Sequence, residues 1–262
     1  VAILKIDGQS ISYVTAGDDG PPVLLLHGTT MSHTAFDGVR AAMPPDTPYR
    51  FVMMDLPGSG ESTLPDAPLT LDSISRHAFA LMDHLGHERY HIVGFSIGAP
   101  IAVAMAAYQP RVARSLTLIA GWVAADARMK ATFELWRRLI TVDPALFTRY
   151  AMVDGFTSAF HELAAPILEA VIEASALTIA PGSAAQIDLD ISLDIADLVG
   201  QIAVPTLIIG GAEDRWVDIS HSHDLGGAIT GARVEVLAAG HMMMAEQPAQ
   251  VAALLHPHLA AR

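Results

Sequence analysis

The sequence predicts an α/β protein: a mostly parallel sheet of about eight strands, flanked by helices and interrupted once by a helical insertion. Short runs such as Val23-Leu24-Leu25-Leu26 and Phe51-Val52-Met53-Met54 are apolar at successive positions without alternation, as strands covered on both faces should be. Segments with apolar residues at helical spacing stand between such runs, and strand alternating with helix is the pattern of a parallel sheet joined by crossover helices. Over residues 122–197 the alternation stops, and the chain there holds helical segments with no convincing strand. A chain of 262 residues can bury this core as one domain with an insertion.

In order along the chain, residues 2–6 and 9–15 read as two strands of an edge hairpin, turned at Asp7-Gly8, a dipeptide that tolerates positive φ. Strands follow at 23–27 and 51–55. Leu56-Pro57-Gly58-Ser59-Gly60 then reads as a tight strand exit, because it lacks the G-x-G-x-x-G spacing and the directly following helix of a phosphate loop. Thr70 caps a predicted helix from Leu71 to about Leu85 that carries Ile74, Ala78, Leu81, Met82 and Leu85 on one face and stops at Gly86. A strand from Tyr90 and another at 115–120 complete the first half. Within the insertion, 129–140, 145–152 and 167–177 read as helices and 178–184 as a loop, after which 201–204 lead back to the core.

The apolar run Tyr90-His91-Ile92-Val93 meets Gly94-Phe95-Ser96-Ile97-Gly98 and then a helix-like run from Ala102 to Ala107. Strand, Gly-flanked Ser and immediate helix make the G-x-S-x-G nucleophile elbow. Its serine backbone is strained, and the positions two before and two after it crowd together unless both are glycine. Asp214 follows the strand-like Pro205-Thr206-Leu207-Ile208-Ile209-Gly210-Gly211, His241 follows Val234-Glu235-Val236-Leu237, and His27-Gly28-Thr29-Thr30 follows the strand at Val23. Thr29, Ser96, Asp214 and His241 all fall at or just after strand carboxyl ends, where ligands bind in such sheets.

At these residues, in the chain order Ser, acid, His, the sequence resembles the α/β-hydrolase superfamily over nearly its whole length, and in particular its serine esterase and enol-lactonase branch. The resemblance implies a core of residues 1–121 and 198–262 and a helical cap, or lid, of residues 122–197. It also implies that the His27-Gly28 turn supplies an oxyanion N–H and that the acid is the last residue of the turn Gly211-Ala212-Glu213-Asp214. Ser rather than Asp at the elbow disfavours the dehalogenase and epoxide hydrolase branches, which need a carboxylate nucleophile.

The chemistry expected of these residues is acyl transfer. Ser96 is the nucleophile, His241 the base, and Asp214 the acceptor that fixes the imidazole tautomer, with Glu213 and Asp218 as its competitors. The backbone N–H groups of Thr29 and Ile97 are the expected oxyanion hole. Phe36, Trp122, Met129, Trp136, Trp216 and Met242 are the candidates for an apolar substrate pocket, each with ordinary core as its competing reading. The pairs His221/His223 and His256/His258 lack carboxylate partners at ligand spacing, so no metal and no organic cofactor is expected.

Composition sets the remaining bounds. A formal charge of −13 and the lack of any Lys/Arg cluster argue against nucleic acid and anionic membrane as partners, which leaves a small-molecule substrate and an open question of homo-oligomerisation. With no cysteine, disulfides and thiolate catalysis are excluded. The N-terminal residues 1–8 lack a basic start and a long apolar core, so a soluble, cytoplasmic protein is expected, with a removed leader left open by the initial Val1. The function expected is hydrolysis of an ester or lactone of a small, largely apolar substrate through an acyl-enzyme. Two alternatives remain: a C–C bond hydrolase or a lyase or tailoring enzyme of the same fold, and a non-hydrolytic ligand-binding protein.

Overall fold

A computed structural model describes residues 1–17, 19–45 and 47–260. Eight strands form one sheet in the order β1-β2-β4-β3-β5-β6-β7-β8. They are β1 Ala2–Ile6, β2 Gln9–Gly17, β3 Pro22–Leu26, β4 Arg50–Met54, β5 Tyr90–Phe95, β6 Ala113–Ile119, β7 Thr206–Gly211 and β8 Arg233–Leu237. β1 and β2 pair antiparallel at one edge, β2 joins β4 antiparallel, and every other pairing is parallel. The edge hairpin turns at Asp7 (φ 49°) and Gly8 (φ 81°), the two successive positive φ values that a tight hairpin matched to strand twist requires.

Unbroken apolar strands are explained by two buried faces. Along β3 and β4, Leu24, Leu26, Val52 and Met54 enter one core layer while Val23, Leu25, Phe51 and Met53 enter the other. The first layer lies under α2 (Leu71–His84), α3 (Gly98–Tyr108) and α10 (Ile219–Ala228); the second lies under α1 (Asp37–Ala41), α11 (Met243–Glu246) and α12 (Pro248–Ala260). Helix α2 begins as the sequence predicts, with Thr70 and Ser73 exchanging side-chain and backbone hydrogen bonds in a capping box.

Between β6 and β7 the chain is helical: α4 Ala127–Val142, α5 Pro144–Gly155, α6 Ser158–Ala164, α7 Leu168–Ala176, α8 Ser183–Ser192 and α9 Ala196–Val199. The sequence reading missed α6, α8 and the short α9, and placed Ser183 and Ala184 in a loop. Gly182 begins α8 without a side-chain cap, so the usual start signal is missing, and its amide is bonded to Gly58 O at 2.9 Å instead. Gly182 packs so closely on Gly58 that a Cβ added to it would stand 2.5 Å from Gly58 Cα, which docks this end of the insertion on the turn after β4.

Candidate active site

Ser96 lies between the end of β5 and the start of α3 with φ +54°, a region costly for a residue with a side chain. A Cβ on Gly94 would come within 2.0 Å of Gly98 O, and one on Gly98 within 2.2 Å of Leu26 O. Both flanking glycines are therefore compelled by backbone contact. Ser96 N–H donates to Ile119 O at 2.9 Å, which fastens the turn to β6.

His241 follows β8 and brings Nε2 to 3.1 Å from Ser96 Oγ and Nδ1 to 2.7 Å from Asp214 Oδ2. The other carboxylate oxygen of Asp214 accepts the N–H groups of Trp216 and Val217, each at 2.9 Å. Asp214 thus accepts a hydrogen bond from the Nδ1–H of the imidazole, which leaves Nε2 as the acceptor facing the Ser96 hydroxyl. Ser96, Asp214 and His241 are all buried, at 7, 6 and 2 % exposure, so water screens these contacts little. The Trp216 and Phe95 rings, with centroids 4.9 and 5.3 Å from the imidazole, restrict its rotation. Of the competing acids, Glu213 is exposed and Asp218 caps α10 through Ser220.

The loop after β3 lies against this centre, because a Cβ on Gly28 would stand 3.2 Å from that of Ser96. Leu56 N–H donates to His27 Nε2 at 2.9 Å, so His27 carries its proton on Nδ1 and donates to Gly28 O at 2.8 Å. Complete burial pushes the His27 pKa down to about 4, so a neutral ring holds the turn. Neither Thr29 N–H nor Ile97 N–H donates to a protein acceptor among the described residues. The Thr29 hydroxyl is committed elsewhere, to Asp190 Oδ2 at 2.7 Å.

A cavity of about 520 Å³ opens onto Ser96 and His241. Its wall includes Phe147 and Met152 of α5, Phe160 of α6 and Val171 of α7, and among the described residues it holds no Asp, Glu, Lys or Arg. Among the residues expected to form a pocket, Trp136, Trp216 and Met242 are in this wall. Phe36, Trp122 and Met129 are not. Phe36 packs at 1 % exposure in the layer beneath α1 and α12. Trp122 leaves β6 at its carboxyl end, as expected, but turns inward to complete burial with its ring centroid 5.8 Å from that of Phe133. Met129 lies in the same core layer at 1 % exposure. The insertion is anchored beside the imidazole, since Met242 N–H donates to Gly155 O at 3.0 Å and Glu246 accepts Thr157 N–H at 2.6 Å.

Sequence reasoning overlooked Gln186 and Asp190, two buried polar residues of α8 that reach the Thr29-Thr30 loop. The available signal was their i, i+4 spacing around the buried Ile187 and Leu189. Among the described residues no group of three or more His, Cys, Asp or Glu side chains is placed to hold a metal ion. No helix among them is long and apolar enough to cross a membrane.

With this sheet and these strand-end residues, the chain belongs to the alpha/beta hydrolase fold family, whose model matches residues 21–248, and it is a hydrolase. It is 30% identical over 263 residues to pyrrolizixenacetamide deacetylase from Xenorhabdus hominickii, covering 98% of this chain and 97% of that protein. It is 26% identical to 3-oxoadipate enol-lactonase 2 from Acinetobacter baylyi, covering 94% and 91% of the two chains. Its fold is also that of the enol-lactonase from Burkholderia xenovorans, with a TM-score of 0.90 at 21% identity over 99% of this chain and 100% of that one.

Proposed function

We propose that the protein is a serine hydrolase that cleaves an uncharged, largely apolar ester or lactone through an acyl-enzyme. The observation that carries this reading is the unbroken chain Asp214–His241–Ser96 at the mouth of an apolar cavity. In this reading His241 Nε2 removes the Ser96 proton as Oγ bonds to the carbonyl carbon. Asp214 holds the imidazole in register and stabilises the imidazolium that forms. Negative charge develops on the carbonyl oxygen, where the N–H groups of Thr29 and Ile97 receive it, the latter at the start of α3, whose dipole has the favourable sign. His241 then returns the proton to the leaving oxygen, and a water activated by the same ring releases the acyl group.

The residues of the insertion act as a cap that selects substrates. A wall without ionised side chains favours neutral acyl and alcohol groups, because a carboxylate placed there would lose its hydration without gaining a partner. A second reading is amide deacetylation by the same acyl-enzyme route, favoured by the full-length similarity to a deacetylase. Purified protein assayed against short p-nitrophenyl esters, neutral lactones, N-acetyl amides and 1,3-diketones, with Ser96→Ala as the blank, tests both. Turnover of neutral esters or lactones that vanishes in the blank is expected. Turnover of diketones alone, or equal rates in the blank, would defeat the ester and lactone reading.

A further inference from the structure

Thr29 and Thr30 form the loop whose first N–H is the proposed oxyanion donor, and α8 grips both. Thr29 Oγ1 donates to Asp190 Oδ2 at 2.7 Å, and Thr30 N–H donates to Gln186 Oε1 at 3.0 Å. The Gln186 amide donates in turn to Pro57 O at 3.1 Å and Ser59 Oγ at 2.9 Å, so one side chain ties the loop after β3 to the loop after β4. Gln186 and Asp190 are one helical turn apart and both are fully buried. Neither lines the cavity, so neither touches a substrate there.

Thr30 needs such a grip. It is β-branched and has φ +69°, a left-handed conformation that is unfavourable for such a residue and persists only where its surroundings enforce it. Asp190 is also unusual, because its second oxygen, Oδ1, is buried without a hydrogen-bond partner among the described residues. A carboxylate with one lone contact in such a place is costly. Burial pushes the Asp190 carboxyl well above the usual carboxylate range, and the Thr29 hydroxyl opposes this only in part. The group is therefore suited to be an uncharged acid, for which asparagine is a near match in shape.

We propose that Gln186 and Asp190 are positioning residues that hold the Thr29-Thr30 loop in its strained form and so set the direction of the Thr29 N–H toward the reacting carbonyl. This role rests on the serine hydrolase reading. It joins the insertion to the chemical step, because displacement of α8 loosens an oxyanion donor as well as the pocket wall.

The test uses the full chain with Asp190→Ala, Asp190→Asn, Gln186→Ala, Thr29→Val and the Thr29→Val/Asp190→Ala double variant. The readouts are kcat and KM on p-nitrophenyl acetate, the melting temperature, and amide hydrogen exchange of peptides covering residues 27–32. Asp190→Ala should lower kcat roughly 10- to 100-fold with KM within about twofold, since a displaced donor harms the transition state more than the bound ester. Asp190→Asn, which keeps an acceptor for the Thr29 hydroxyl, should recover kcat to within about threefold of the native protein. The double variant should be no slower than the worse single one, because both remove the same contact. Exchange over 27–32 should quicken in Asp190→Ala and Gln186→Ala while that of β5 and α3 stays unchanged.

If Asp190→Ala fails to fold, Gln186→Ala and Thr29→Val carry the same test. A folded Asp190→Ala or Gln186→Ala with native kcat overturns the proposal, as does a loss that Asp190→Asn does not recover. Unchanged exchange over 27–32 also overturns it. An inactive native protein would instead sink the hydrolase reading, and the exchange measurement, which needs no turnover, would still report whether α8 holds the loop.

Discussion

Ser96, Asp214 and His241 are held by main-chain geometry close to strand ends, whereas the cavity wall is held by side-chain packing among short helices. At the strand ends a positive φ and two compelled glycines fix Ser96, and backbone N–H donors fix Asp214, which in turn holds the His241 ring. In the insertion, Val142, Leu146, Val153, Leu163, Ile167 and Leu177 remain exposed, and several helices are short. A site held in this way tolerates little change in its backbone. A packed wall can be re-cut one side chain at a time, so the proposed chemistry belongs to the first region and substrate choice to the second.

The largest effect should come from the first region. Ser96→Ala and His241→Ala should each lower kcat on a neutral ester by roughly a millionfold, and the double variant should be scarcely worse, since the residues act as one unit. Asp214→Asn should cost less, roughly ten-thousandfold, because the nucleophile and base remain but the tautomer is no longer enforced. Steady-state kinetics on one ester with all four variants checks both statements.

Next in size is a backbone test. Gly94→Ala should lower stability by roughly 2–4 kcal/mol in urea unfolding, since its Cβ would meet Gly98 O at 2.0 Å with no flexible side chain to yield. The solvent-side Gly227→Ala, in α10, meets nothing within 4 Å and should leave stability unchanged or raise it by up to about 1 kcal/mol through helix propensity.

In the second region, Trp136→Ala or Phe147→Ala should reorder substrates by acyl size, changing discrimination by about 1–3 kcal/mol while leaving the rate on an acetate ester nearly unaltered. A panel of p-nitrophenyl esters of increasing chain length measures this. An equal loss on every ester would place a contribution to the chemical step in the wall itself.

A further effect concerns pH. His27 has a lowered folded pKa of about 4, so between the unfolded value near 6.5 and about 4 the unfolded chain binds a proton that the folded chain does not. Stability contributed by neutral His27 is complete above that window and is lost as the pH falls through it. The deficit of His27→Gln relative to the native protein should therefore narrow on acidification, at about 1.4 kcal/mol per pH unit. Asp190 titrates with the opposite sign and is present in both chains, so the comparison cancels it. Urea unfolding at several pH values measures the gap.

The same contrast explains what was legible in the sequence. Local rules governed the first region: unbroken apolar runs for strands buried on both faces, glycine where a Cβ meets backbone, and the order of Ser96, Asp214 and His241 along a parallel sheet. Element ends and caps such as Thr70 also followed local chemistry. Pocket membership did not, because Trp122 and Trp136 are equally apolar and only the packing of α4 and α5 decides that Trp136 faces the cavity. Gln186 and Asp190 were hidden for a related reason. Their partners lie 129 and 161 residues away in sequence, at Pro57 and Thr29, and α8 begins on a glycine contact rather than a capping side chain.

The most direct test of the central claim is the mass of the protein, rapidly quenched with acid during turnover of p-nitrophenyl acetate and then digested. An acetyl group on the peptide carrying Ser96, seen in His241→Ala at a much slower rate and never in Ser96→Ala, is the expected result. Steady turnover with no acyl adduct, or with the adduct on another residue, would contradict it.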